Sequence, residues 1–122
     1  MSTGKKIVLV VDDSPIIIER LNSMLAGLEN VQSIIYAKNY ATAILLLEEK
    51  PDIAILDINL PDKSGIELLR YIKNSNAAVT VIMLTNQSGD YYRNLCMRLG
   101  AQYFIDKSSE FEQVPSIISS VS

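Results

Sequence analysis

The chain contains no histidine, and that absence excludes histidine-based acid–base catalysis and the commonest zinc ligand together. It has a single cysteine, Cys96, so no internal disulfide can form, which suits a reducing compartment. Cys96 is expected to act as a small buried hydrophobe. No apolar run approaches the length of a membrane span, and Met1 to Lys6 lack the pattern of a signal peptide. A membrane role is therefore not expected, and the cytoplasm is the expected location. Basic residues are too few and too scattered for nucleic acid to be a direct partner; the net charge is −3. Internal repeats, linkers and low-complexity segments are also missing. What remains is an ordinary globular composition, 48% apolar and 20% charged, over 122 residues. That length predicts one domain, residues 1–122, with enough chain to bury a core.

Short apolar runs alternate with segments of helical spacing. Lys6 to Val11 holds the uninterrupted run IVLVV, a central parallel strand buried on both faces. Ser14 and Pro15 then form a helix start, with Ile17, Leu21, Met24, Leu25 and Leu28 at helical spacing and an exit at Gly27 to Asn30. Val31 to Ala37 is a partly polar edge strand. Asn39 caps a second helix carrying Ala43, Leu46 and Leu47, which Pro51 ends. Ile53 to Leu56 is the third strand. Ser64 to Glu67 fits a capping box, with Glu67 reaching back, before a helix with the stripe Ile66, Leu69 and Ile72. Val79 to Leu84 is the fourth strand. Ser88 is placed as the cap of a helix presenting Tyr92, Leu95, Cys96 and Leu99, stopped by Gly100. Ala101 to Ile105 is the fifth strand. Pro115 cannot sit inside a regular helix, so a tight turn is expected over Ser109 to Gln113 and a last helix from near Pro115 to about Val121.

Five strand–helix alternations predict an α/β fold with a parallel sheet and helices on both faces. Right-handed crossovers make 2-1-3-4-5 the expected strand order, the doubly wound, flavodoxin-like arrangement. Ligands of such sheets bind at the carboxyl ends of the strands, where the order reverses. Asp12 and Asp13 follow strand one, Asp57 follows strand three, Thr85 ends strand four and Lys107 follows strand five. Three carboxylates in one crevice repel one another unless a cation intervenes. Few ligands, all oxygen, favour Mg²⁺, which accepts two carboxylates with waters and phosphate oxygens; Ca²⁺ needs more protein oxygens. An ammonium and a hydroxyl facing that centre suit a phosphoryl group, with Asp57 as the nucleophile. Each residue alone has a blander reading, as a cap, a solvated lysine or a strand-end threonine; it is the set of five that points to chemistry.

With VVDDS, ILDINLPDKSG, MLTN and GAQYFIDKS in this order and spacing, the chain resembles the receiver domains of two-component response regulators, from Lys6 to about Val121. The resemblance implies that Asp57 is the phosphoacceptor and that Asp12 and Asp13 carry the Mg²⁺ site. It implies the backbone carbonyl of Asn59 as a further ligand, and Thr85 and Lys107 as phosphoryl contacts. Phe104 matches the family's aromatic switch position, and is expected to turn inward when Thr85 moves toward a phosphoryl oxygen. The implied donor is a phosphohistidine on a histidine kinase or histidine phosphotransfer protein. The expected output is changed affinity for a target protein, because nothing resembling an output domain follows Val121, unless the chain is an excised fragment. This chain departs from the family in three ways: Lys107-Ser108 replaces Lys-Pro and should be trans, the larger Asn86 follows Thr85 and should narrow access to Asp57, and Phe104 lacks the commoner tyrosine's hydroxyl.

Two other functions compete. An Mg²⁺-dependent phosphatase with an aspartyl nucleophile usually has an acid/base aspartate two residues after the nucleophile, where this chain has Asn59, and a cap domain for which it is too short. A flavodoxin-like FMN carrier needs a first loop rich in hydroxyls and glycine, not the acidic Asp12-Asp13 pair.

Overall fold

The computed structural model describes residues 5–87 and 89–121. Five parallel strands form one sheet in the order β2-β1-β3-β4-β5: β1 (Lys6–Val11), β2 (Val31–Ala37), β3 (Ile53–Leu56), β4 (Thr80–Thr85) and β5 (Tyr103–Asp106). The expected order is the observed one, with β2 and β5 at the edges. The helices are α1 (Pro15–Leu25), α2 (Tyr40–Leu46), α3 (Gly65–Ser75), α4 (Asp90–Arg98) and α5 (Val114–Ser120).

Strand residues alternate between two apolar layers. Leu9, Val11, Ala54, Leu56, Val81, Met83 and Phe104 pack in one layer with Ala43 of α2, Leu68, Leu69 and Ile72 of α3, and Cys96 of α4. Val8, Val10, Ile53, Ile55, Ile82, Leu84 and Ile105 pack in the other with Leu21 and Leu25 of α1 and Val114 and Ile118 of α5. Burial on both faces explains why β1, β3 and β4 are continuously apolar rather than alternating. Each large side chain removed from water in this way contributes about 1.5–3 kcal/mol.

The helix starts at Ser14 and Asn39 form as expected: their side chains accept the N–H groups of Ile17 and Thr42, and Pro15 opens α1. Ser64 also caps α3, but through the Ile66 N–H. Glu67 instead lies 3.8 Å from Arg70, so the reciprocal half of the predicted capping box is replaced by an ion pair within the helix. Ser88, expected to cap α4, falls outside the described residues; the residue preceding α4 is Gly89.

Two strands are displaced from their expected bounds. Val79 donates its N–H to Asn76 and closes the turn after α3, so β4 starts at Thr80. At β5, Gly100 has φ 110°, its N–H bonds Met97, and the Ala101 N–H bonds Cys96. This is a Schellman stop for α4, and it takes Ala101 out of the strand. The chain between β5 and α5 makes a single 3-10 turn over Phe111–Gln113, inside the span expected to be a tight turn. α5 begins one residue before Pro115.

Candidate phosphoryl site at the carboxyl edge of the sheet

The ladder itself places the site residues. Asp12 donates its backbone N–H to Ala37 (3.1 Å), Asp57 to Val11 (3.0 Å) and Lys107 to Thr85 (3.1 Å). Each is the first residue past its strand, still held by the neighbouring strand, with a side chain that cannot go into the apolar layers. Because β1 and β3 are adjacent, Asp12 and Asp57 meet in one crevice, and one carboxylate oxygen from each of Asp12, Asp13 and Asp57 lies within 4.8 Å of the others. Asp12 and Asp57 are buried, at 2% and 6% exposure, whereas Asp13 is exposed.

The Lys107 ammonium bridges the two buried acids. Its Nζ is 2.7 Å from Asp12 Oδ2 and 2.9 Å from Asp57 Oδ2. The remaining oxygens are also engaged: Asp12 Oδ1 accepts the Ser14 N–H (2.9 Å) and Asp57 Oδ1 the Asn59 N–H (3.3 Å). Burial pushes the Asp12 carboxyl above its ordinary value, against the lowering effects of Lys107 and the Ser14 N–H. Burial alone would lower the Lys107 ammonium, but its hydrogen bonds to Asp12 and Asp57 and their charges outweigh it, and the net displacement is upward.

Thr85 is fully buried, and its hydroxyl oxygen accepts the Gln87 N–H at 3.1 Å. Asn86, just beyond it, is exposed. Phe104 is 4% exposed, on the α4 side of the sheet. The structure thus gathers Asp12, Asp13, Asp57 and Lys107, sets Thr85 at the next strand end and Asn59 in the loop after Asp57, and puts Phe104 away from the crevice.

The donor set fits a small divalent cation. One ammonium against three carboxylates leaves two negative charges uncompensated, and every available donor is oxygen. Among the described residues, these three acids are the one group of histidine, cysteine or acidic side chains close enough to hold a metal.

Three features were not read from the sequence. Gly65 lets α3 start against Asp57: its N–H bonds Ile58 (2.7 Å), and a Cβ there would lie 1.8 Å from the Asp57 carbonyl oxygen. Asp62 accepts the N–H groups of Tyr40 (2.8 Å) and Ala41 (3.0 Å), tying the loop after Asp57 to the start of α2. Arg93 of α4 contacts Phe104 and Glu110. Gly65 ends the motif ILDINLPDKSG and was open to reading; the other two depend on partners far away in the chain.

An open parallel sheet with an acidic, lysine-bridged crevice at its switch point places the chain among the doubly wound α/β domains that bind their ligands at that edge. Known proteins narrow the class. The family model for the response regulator receiver domain matches residues 8–119, and the chain belongs to this family. The transcriptional regulatory protein GltR of Pseudomonas aeruginosa is 36% identical over 111 residues, covering 88% of this chain and 45% of its own. The response regulator domain of Thermotoga maritima CheB superposes with a TM-score of 0.81 at 30% identity, covering 93% of this chain and 90% of that one. The DrrB receiver domain, solved in a BeF3-activated form, gives 0.79 at 28% identity, covering 93% and 94%. The chain spans about half the length of the curated relatives it matches first. No helix among the described residues is long and apolar enough to cross a membrane.

Proposed function

We propose that this receiver domain accepts a phosphoryl group on Asp57 from the phosphohistidine of a histidine kinase or histidine phosphotransfer protein. The observation that carries this reading is the buried Asp57 carboxylate, paired with Lys107 at 2.9 Å and flanked by Asp12 and Asp13. A carboxylate oxygen of Asp57 forms the new bond to phosphorus as the phosphorus–nitrogen bond breaks, and the electron pair of that bond stays on the donor imidazole. The Lys107 ammonium holds the phosphoryl oxygens through charge, and the Thr85 hydroxyl donates a hydrogen bond to one of them. Asp12, Asp13, Asp57 and the Asn59 carbonyl would hold Mg²⁺, which when bound would supply charge neutralisation for the phosphoryl oxygens. DrrB, a similar receiver, exists in a form activated by BeF3, which supports reading this crevice as a phosphoryl site.

The domain, residues 1–122, works as a signalling switch rather than a turnover enzyme. Its output is altered affinity for a target protein, with Thr85 and Phe104 as the switch pair, and neither nucleic acid nor a membrane is a direct partner. A donor of this kind places it in the cytoplasm. Intact-mass measurement after treatment with a small phosphodonor and Mg²⁺ tests the reading. Wild type gains one phosphoryl group and Asp57→Asn gains none; equal labelling of the mutant overturns the assignment.

A further inference from the structure

Arg93, on α4, touches the edge of the sheet in three ways. Its Nη1 donates to the Phe104 carbonyl at 3.2 Å. Its guanidinium carbon stands 4.9 Å from the centre of the Phe104 ring, within cation–π range. Its Nη2 is 3.7 Å from Glu110 Oε1. That same oxygen accepts the Asp106 N–H at 2.9 Å, and the Glu110 N–H bonds back to the Asp106 carbonyl at 2.8 Å. β5 is an edge strand, so alternate backbone groups face away from β4 and find no ladder partner. Arg93 and Glu110 take two of these groups, on Phe104 and Asp106. The next residue is Lys107, whose ammonium lies on Asp12 and Asp57.

We propose that Arg93 is a positioning residue that holds the Phe104 ring in its buried packing before any phosphoryl group arrives, and that the Arg93–Glu110 pair fastens α4 to the turn carrying Lys107. This rests on the phosphoryl-switch reading of the site. A ring without a hydroxyl has no polar group that favours the outward state, and the guanidinium 4.9 Å from its centre adds an attraction that favours the buried one. The wild-type ring is therefore already mostly inward, and the phosphoryl group acts on an equilibrium that Arg93 has biased. The contiguous contacts from Lys107 through Asp106 and Glu110 to Arg93 make α4 the element that responds, and coupling along them is what the experiment measures.

The chain has two phenylalanines, so fluorophenylalanine labelling gives two fluorine signals. Phe111 is buried with the Arg20 guanidinium 4.2 Å from its ring centre, and it serves as the internal control. In wild type, the Phe104 signal should lie close to that of a buried ring, and Mg²⁺ and beryllofluoride should complete its inward shift. In Arg93→Ala it should shift toward the solvent-exposed position and gain a larger solvent isotope shift, while Phe111 stays in place. Mg²⁺ and beryllofluoride should then drive Phe104 back toward its wild-type position. Arg93→Lys keeps the charge but loses the planar fork, and should fall between the two. Glu110→Gln should shift Phe104 in the same direction, by less. An unchanged Phe104 signal in Arg93→Ala overturns the proposal. So does a joint shift of Phe104 and Phe111, which marks general loosening. If wild type takes no phosphoryl group from a small donor, the proposed function fails, while the metal-free spectra still decide the role of Arg93.

Discussion

The Lys107 ammonium is the cation already present among three acids, and it reaches only the two buried ones. Asp13 stays exposed, with its negative charge added to a crevice that is short of positive charge. In water-like surroundings two such charges 4 Å apart repel by about 1 kcal/mol. Asp13→Asn should therefore leave metal-free stability unchanged or raise it by up to about that amount, while weakening Mg²⁺ binding sharply. Thermal unfolding with and without Mg²⁺ checks both halves; a clear metal-free loss would make Asp13 a structural cap. Asp62 behaves differently, since the Tyr40 N–H first, with those of Ala41 and Lys63, holds its carboxyl below the ordinary value. A lowered folded-state value stabilises above the unfolded value and is lost as pH falls through the folded one. Asp62→Ala should lower the melting temperature at pH 7, with the gap to wild type closing as pH drops below the ordinary aspartate range. A gap that stays constant down to pH 3 contradicts the capping role. Asp12 and Asp57 were legible because each interrupts an apolar run with a charge, and Lys107 because it stands just past the fifth such run. Asp62 and Arg93 were not: their partners lie 22 and 11 residues away, at distances that no local pattern encodes.

At the scale of elements, the strands were legible through their composition and the helix ends through their caps, but strand ends were set by competition for N–H groups. Ala101 is apolar and reads as strand, yet its N–H completes the stop of α4, so β5 begins at Tyr103. Glu67 reads as half of a capping box, yet Arg70 one turn on is the partner it finds. The start of α3 is tighter than any pattern reveals. A Cβ on Gly65 falls 1.8 Å from the Asp57 carbonyl oxygen and 3.0 Å from the Ile58 Cα, both main-chain atoms that cannot rotate away. Gly65→Ala should destabilise at or above the top of the usual overpacking range, about 1–3 kcal/mol, and should slow phosphoryl transfer by displacing Asp57. Urea unfolding and the labelling rate read these separately. A variant with wild-type values for both would mean that α3 slides away freely.

For the whole molecule, strand order is what turns scattered residues into a site. Asp12 and Asp57 are 45 positions apart in the chain and meet because β1 and β3 are neighbours; Lys107 reaches them from β5 across the end of β4. That order followed from the alternation of elements and the handedness of crossovers, so the crevice could be anticipated before its distances were known. The central claim is that one carboxylate of this crevice, Asp57, becomes an acyl phosphate. The most direct test is to transfer phosphoryl from a phosphohistidine donor with Mg²⁺, reduce the acyl phosphate with borohydride, and map the resulting homoserine by peptide mass. The account predicts homoserine at position 57 and at no other; homoserine at position 12 or 13, or none from a donor that discharges onto the chain, contradicts it.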